Sequence, residues 1–283
     1  MFVSPMLLQR MEEPFNHDDF ISELKLDGIR LIYSHMDSVK LYTRHKNEVT
    51  KKFPELMDLG IPKGTVLDGE LILTDQNGHP DFEAIMSRFQ IASQDRIHRF
   101  SRSCPVHFCA FDILYHEGES VMNLPLLERK KLLDSVVSES ECLTQIRWLN
   151  GKGIELFSLC QDNGLEGIVL KKASSKYQSD YRSPAWIKVI NYQYEDVFIM
   201  GHRRKEFGWI LGKGIEVKMN MMGVTEFVPP MARMKFNQMI DGLVANETED
   251  VVYLKPTVRC TVKYRNYTKA GLLRMPVFVK FAN

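Results

Sequence analysis

Between Ile21 and Leu31, apolar side chains come at nearly every second position, and the run is interrupted by Asp27-Gly28. A near period of two is a strand pattern, and Asp-Gly is a turn signal. The expectation is a strand pair joined by a tight turn, with Lys25 at the lip of a pocket rather than in mid-strand. The eight residues Glu23-Leu24-Lys25-Leu26-Asp27-Gly28-Ile29-Arg30 bring together an amine, two carboxylates and a guanidinium. A deprotonated lysine attacks electrophilic phosphorus, and nearby cations, a metal or partial desolvation lower its pKa. By average composition, Lys-x-Asp-Gly-x-Arg arises by chance in roughly a few chains per thousand of this length.

The rest of the chain is compatible with such a site without specifying it. A length of 283 residues holds one large domain or two smaller ones. The net charge of +1 excludes a global polyelectrolyte, so any nucleic-acid surface must be local. Five cysteines (Cys104, Cys109, Cys142, Cys160, Cys260) form no Cys-x-x-Cys pair and read as reduced core thiols of an intracellular protein. No apolar run approaches membrane-spanning length, and no secretory leader is evident.

In chain order, residues 1–20 read as a mixed lead-in. Val39 to Thr43 is a strand ending at Arg44. Thr65 to Leu73 reads as strand, turn and strand, with Asp68-Gly69-Glu70 at the corner. Asp81 to Arg99 has a helical pattern, Pro105 to Tyr115 is a buried strand containing Phe111-Asp112, and Leu124 to Val137 is an amphipathic helix. A helix from Gly153 stops at Asp162-Asn163-Gly164, and Leu165-Glu166-Gly167 opens an apolar strand. Ser174 to Pro184 reads as loop, followed by Ala185-Trp186-Ile187-Lys188-Val189-Ile190.

Beyond about Gln193 the texture becomes short strands and turns: Val197–Gly201, Trp209–Gly212, Gly214–Lys218, Val224–Val228, Val258–Lys263 and Met275–Phe281, with a helix over Met231–Leu243. This pattern suits a small five-stranded barrel. Residues 251–283 carry seven basic residues and no Asp or Glu, interleaved with Tyr264 and Tyr267. A cationic, aromatic strand pair suits a phosphate backbone.

Glu-x-Lys-x-Asp-Gly-x-Arg resembles motif I of the covalent nucleotidyltransferases, which include DNA ligases, RNA ligases and mRNA capping enzymes. Four further stretches resemble that family's motifs in the right order: Asp-Gly-Glu at 68–70, Phe111-Asp112, Glu166-Gly167 and Trp186-x-Lys188. The ending Thr268-x-x-Gly271-x-Leu273-Arg274-x-Pro276 is similar to bacterial end-joining DNA ligases. The resemblance implies an α+β architecture: an adenylation domain of antiparallel sheets with helices over 1–192, then an all-β OB-fold domain over 193–283. It implies a minimal, monomeric, cytoplasmic and nucleoid-associated ATP-dependent DNA ligase acting on nicked double-stranded DNA. The rivals are an RNA ligase or capping-type enzyme and a non-catalytic nucleic-acid-binding relative.

It implies Lys25 as the residue that takes up AMP. Glu23, Lys25, Arg30, Arg44, Glu70, Phe111, Arg182 and Lys188 would bind the nucleotide. Within that set, Glu70 and Arg44 would hold the ribose, Phe111 the purine, and Arg30 and Arg182 the nucleotide or nick phosphates. Glu166, Glu70 and Asp27 would hold magnesium or manganese, and Lys263, Arg265, Lys269 and Arg274 would contact DNA. One position departs from the pattern. The second lysine expected after Lys188 is Ile190.

Overall fold

A computed structural model describes residues 1–215 and 218–282. The chain divides into two compact units, Met1–Asn191 and a second beginning at Tyr192.

The first unit runs β1 (Leu7–Met11), β2 (Phe20–Leu24), β3 (Ile29–His35), β4 (Val39–Thr43), β5 (Thr65–Ile72), α1 (Phe82–Gln90), α2 (Gln94–Ser103), β6 (His107–His116), β7 (Glu119–Ser120), α3 (Leu126–Val136), β8 (Leu143–Gln145), β9 (Trp148–Asn150), α4 (Gly153–Asp162), β10 (Gly167–Lys172) and β11 (Arg182–Ile190). One sheet has the order β1-β11-β10-β2-β9. The other has β4-β3-β5-β6-β7, with β8 alongside β6. Ile21 and Trp186 of the first sheet and Ile32, Val66 and Leu114 of the second share one core with Val3, Met6, Leu126 and Tyr177. Behind the first sheet, α4 packs Leu156, Phe157 and Cys160 on Ile168, Leu170, Ile187 and Val189. Behind the second, Ile85 of α1 and Leu133 and Val136 of α3 cover Leu31, Leu67, Phe108 and Ile113.

Several local expectations change once long-range pairing is present. Strands β2 and β3 are not a hairpin: they belong to different sheets, so residues 25–28 carry the chain from one sheet to the other. Residues 65–72 are one continuous strand rather than strand, turn and strand. The helical pattern over 81–99 splits because Ile91 and Ser93 are extended. The lead-in contains β1, which pairs parallel to β11 across some 175 residues of chain, and β11 begins at Arg182, inside the expected loop. Cys104 is exposed and Cys142 half-buried, so only Cys109, Cys160 and Cys260 are core thiols.

The second unit contains β12 (Gln193–Arg203), β13 (Trp209–Ile215), β14 (Lys218–Thr225), α5 (Pro230–Met239), β15 (Val244–Glu247), β16 (Val251–Leu254), β17 (Arg259–Tyr264) and β18 (Val277–Phe281). Among the described residues this is a seven-stranded antiparallel arrangement rather than five strands, and β15 and β16 were not anticipated. The expected strand at Gly214–Lys218 lies partly outside the described residues. Its described ends fall in β13 and β14. Strand β12 is the spine. Its first half pairs with β17, its end with β16, and a bulge between Ile199 and Gly201 separates the two. Trp209 fills the centre, with its ring 4.4 Å from Phe236 of α5 and 5.5 Å from Phe278 of β18.

Candidate active site

Lys25 follows the last residue of β2, and its N–H donates to the Gly167 carbonyl at 2.9 Å. That bond holds the lysine against the start of β10, where Glu166 precedes the strand. The Lys25 ammonium lies 2.8 Å from the Glu166 carboxylate. Two glycines allow close backbone approaches on either side of this pair. A Cβ on Gly28 would fall 2.3 Å from the Leu71 carbonyl, and one on Gly167, at φ +140°, 2.1 Å from that of Val189.

Opposite, β3 and β5 set Arg30 beside Glu70 and Ile32 beside Asp68. The Arg30 guanidinium grips Asp68 through Nε at 2.6 Å and Nη2 at 2.5 Å, and Nη2 also donates to the Met6 carbonyl. The Tyr177 hydroxyl donates to Asp68 at 2.6 Å and accepts from the Met6 N–H. A wholly buried Asp68 is thereby satisfied. Glu70 is pushed up to about 7, chiefly by burial. Lys25 and Arg30 pull it down, and Glu166 and Asp68 push it up. These opposing effects place Lys25, Arg30, Glu70 and Glu166 in one electrostatic neighbourhood.

Phe111 owes its position to a bulge. Asp68 pairs with Asp112 and Gly69 with Ala110, which leaves Phe111 as the extra residue. The side-chain phase shifts there: Phe108, Ala110 and Ile113 enter the core behind the sheet, whereas Phe111 and Leu114 enter the one between the sheets. The Arg30 guanidinium lies 4.6 Å and the Lys171 ammonium 4.3 Å from the Phe111 ring centre. Lys188 and Ile190 share a face of β11, opposite Val169 and Gly167 respectively.

Arg44 is exposed just past the Leu31–Thr43 pair of β3 and β4, and so beside the strand that carries Arg30, with its Nε on His45 at 3.2 Å. Arg182 is exposed, donates to the Leu8 carbonyl, and lies six residues from Lys188. At a strand rise of about 3.3 Å per residue that is about 20 Å along β11. Glu23 is 2% exposed and in contact with Lys130 and Lys171. Asp27 stands in the segment between the sheets. No group of three or more metal-ligating side chains occurs among the described residues.

Sequence reasoning did not anticipate Asp68 and Tyr177 as the holders of Arg30, nor Arg129 and Lys130. The signal for the last two was present: they fall between Leu126 and Leu133 on the apolar side of α3. Arg129 is fully buried and grips Asp112 through Nε and Nη2 at 2.7 and 2.8 Å.

In the second unit, Lys263 is the penultimate residue of β17 and Arg265, Lys269 and Arg274 follow in the connection to β18. The Arg265 N–H donates to the Arg274 carbonyl and the Arg274 N–H to that of Asn266, so this connection doubles back on itself. The Lys263 ammonium lies 5.1 Å from the Tyr192 ring centre.

Residues 5–189 match the family described as ATP dependent DNA ligase domain. The chain is 46% identical over 279 residues to the SPbeta prophage-derived DNA ligase-like protein LigB of Bacillus subtilis (strain 168), covering 98% of each. It is 28% identical to the multifunctional non-homologous end joining protein LigD of Pseudomonas aeruginosa, covering 98% of this chain and 35% of that one. The solved structure of mycobacterial DNA ligase D complexed with ATP and MES is similar in fold, with a TM-score of 0.60 at 24% identity over 99% of this chain and 95% of that one.

Proposed function

The chain belongs to the ATP-dependent DNA ligase family, and from that premise we propose that it seals nicks in duplex DNA through a lysyl-AMP on Lys25. The carrying observation is the 2.8 Å approach of the Lys25 ammonium to Glu166, with Glu70 in the field of both and Arg30 against the Phe111 ring. In the first step the deprotonated Lys25 amine attacks the α-phosphorus of ATP. An N–P bond forms as the bond to pyrophosphate breaks. The AMP then passes to the 5′-phosphate of a nick, and Lys25 is released. Attack by the 3′-hydroxyl closes the backbone and expels AMP.

Each step concentrates charge on non-bridging oxygens, so cations must stand around them. Lys188 is the candidate on β11. A divalent cation, magnesium or manganese, would supply Lewis-acid charge there, held by Glu166 and Glu70 with Asp27 nearby. The donor set fits: magnesium bound to a polyphosphate takes one or two carboxylates rather than a full protein cage. Phe111 offers its ring to the purine. Arg30 orients Phe111 and reaches the nucleotide, while Arg44 and Arg182 stand where the DNA or nucleotide margin would lie. We assign 1–192 as the adenylation domain and 193–283 as an OB-type domain whose Lys263, Arg265, Lys269 and Arg274 contact the DNA backbone.

Intact mass after incubation with ATP and magnesium, then sealing of a nicked duplex, tests the reading. A gain of one AMP followed by sealing is expected. Adduct formation with GTP instead, or sealing of nicked RNA alone, would point to the capping or RNA-ligase relatives, and no adduct at all would leave only a binding role.

A further inference from the structure

A single lysine would neutralise Glu23, yet the structure buries two against it. Glu23 lies on β2, two residues before Lys25. Lys130 of α3 meets one carboxylate oxygen and Lys171 of β10 meets the other at 2.6 Å. The Lys130 and Lys171 side chains are 4% and 3% exposed. One carboxylate against two ammoniums leaves a surplus positive charge in the interior, which is costly to bury. Lys171 registers that cost: burial pushes it down to about 8, Glu23 and Asp112 pull it up, and Lys130 lowers it further. Its ammonium lies 4.3 Å from the Phe111 ring centre and 4.2 Å from that of Trp186. Arg30 of β3 faces the same Phe111 ring. A surplus buried charge set against the candidate stacking ring points to function.

Helix α3 holds both sides of this arrangement. Arg129 grips Asp112, the residue after Phe111, and Lys130 grips Glu23. Adjacent helical residues differ by about 100° in direction, so one turn can reach two sheets. Leu126 joins the core between the sheets, while Leu133 and Val136 join the core behind the second.

We propose that Lys130 is a positioning residue of the nucleotide pocket: by occupying one oxygen of Glu23 it leaves Lys171 against the Phe111 ring, and so sets that ring relative to the strand carrying Lys25. The inference rests on the reading of Phe111 and Lys25 given above.

The test is equilibrium binding of ATP in the presence of a chelator, so that no chemistry occurs, on wild type, Lys130→Met, Lys130→Arg and Lys171→Met. Lys130→Met should bind ATP about tenfold more weakly, and Lys130→Arg should recover to within about threefold of wild type. The melting temperature of Lys130→Met should hold or rise, because the surplus charge is gone. Lys171→Met keeps the Glu23–Lys130 pair, folds, and should weaken ATP comparably; it decides the question if Lys130→Met does not fold. Unchanged ATP affinity in the folded variants overturns the inference. So does a loss in Lys130→Met that accompanies a lowered melting temperature and is not rescued by arginine. A wild type that binds ATP but, given magnesium, forms no covalent adduct overturns the proposed function and leaves this inference standing; one that binds no ATP with or without magnesium overturns both.

Discussion

Lys25 and Glu166 meet ammonium to carboxylate at 2.8 Å, with the Glu166 side chain 3% exposed. The Lys25 nitrogen is thus engaged by Glu166, and only a free amine is a nucleophile, so this contact must give way before Lys25 attacks. Lys25→Ala should abolish adduct formation yet retain some sealing of a pre-adenylated nick, since the last step needs no amine nucleophile. Intact mass and a sealing assay check this. A gain of one AMP by Lys25→Ala would exclude Lys25 as the acceptor.

Glu70 gives a pH signature. Its folded pKa of about 7 lies above the ordinary 4.5, through burial first and then Glu166 and Asp68, against Lys25 and Arg30. The folded state therefore holds a proton that the unfolded chain releases between about pH 4.5 and 7, and stability falls as pH rises through that window. Glu70→Gln removes the buried charge. At pH 8 it should stabilise the apo protein by about 1–2 kcal/mol, a rise of several degrees in melting temperature, and the gain should fade toward pH 5. Melts of both proteins at pH 5, 6.5 and 8 measure it. A destabilised variant at pH 8 would mean that the ionised carboxylate is a net benefit.

These residues differ in how far the sequence exposes them. Lys25, Glu70, Glu166 and Lys188 lie in short contiguous patterns whose alternation is local, so they could be picked out as candidates without coordinates. The path between them could not. Asp27-Gly28 produces the same local pattern whether the chain turns back within one sheet or crosses to another, and only pairing with distant β10 or β5 distinguishes the two. Asp68 looked like a turn residue because a buried carboxylate needs partners, and its partners are 38 and 109 residues away. Arg129 and Lys130 drew no role from the sequence, because charge on a helix is usually solvated. The bulge that re-aims Phe111 is a property of two strands, invisible in either one.

Arg129 and Asp112 are both wholly buried, so removing one partner exposes the full penalty of the other. Arg129→Met should destabilise by about 3–5 kcal/mol, and adding Asp112→Leu should restore much of it. Urea melts of the single and double variants check this. A single variant within 1 kcal/mol of wild type, on the order of an exposed pair, would mean that water or a rearrangement satisfies Asp112.

The cations around the β17–β18 connection should act through backbone phosphates. Arg265→Ala and Lys269→Ala should each weaken nicked-duplex binding without regard to sequence and reduce the slope of log K against log salt by about 1. A salt titration of binding decides it. An unaltered slope would place the DNA contacts elsewhere.

Ile190 is the last case. It is 6% exposed and lies across from Gly167, whose carbonyl holds the Lys25 N–H. Lys188 is two pairs further along, opposite Val169, and Lys171 is two pairs beyond that, opposite Trp186. Lys171 is thus on the far side of Lys188 from the gap and is committed to Glu23, so it does not stand in for a lysine at 190. A cation there would add charge beside the phosphate that Lys25 attacks, and at about 4 Å and intermediate dielectric such a contact contributes up to about 4 kcal/mol before desolvation is subtracted. Ile190→Lys should therefore speed self-adenylation, and Lys188→Ala should slow it severely because the neighbouring position offers no second amine. Single-turnover adenylation rates at saturating ATP measure both. A folded Ile190→Lys no faster than wild type would show that desolvating the new ammonium cancels what its charge contributes.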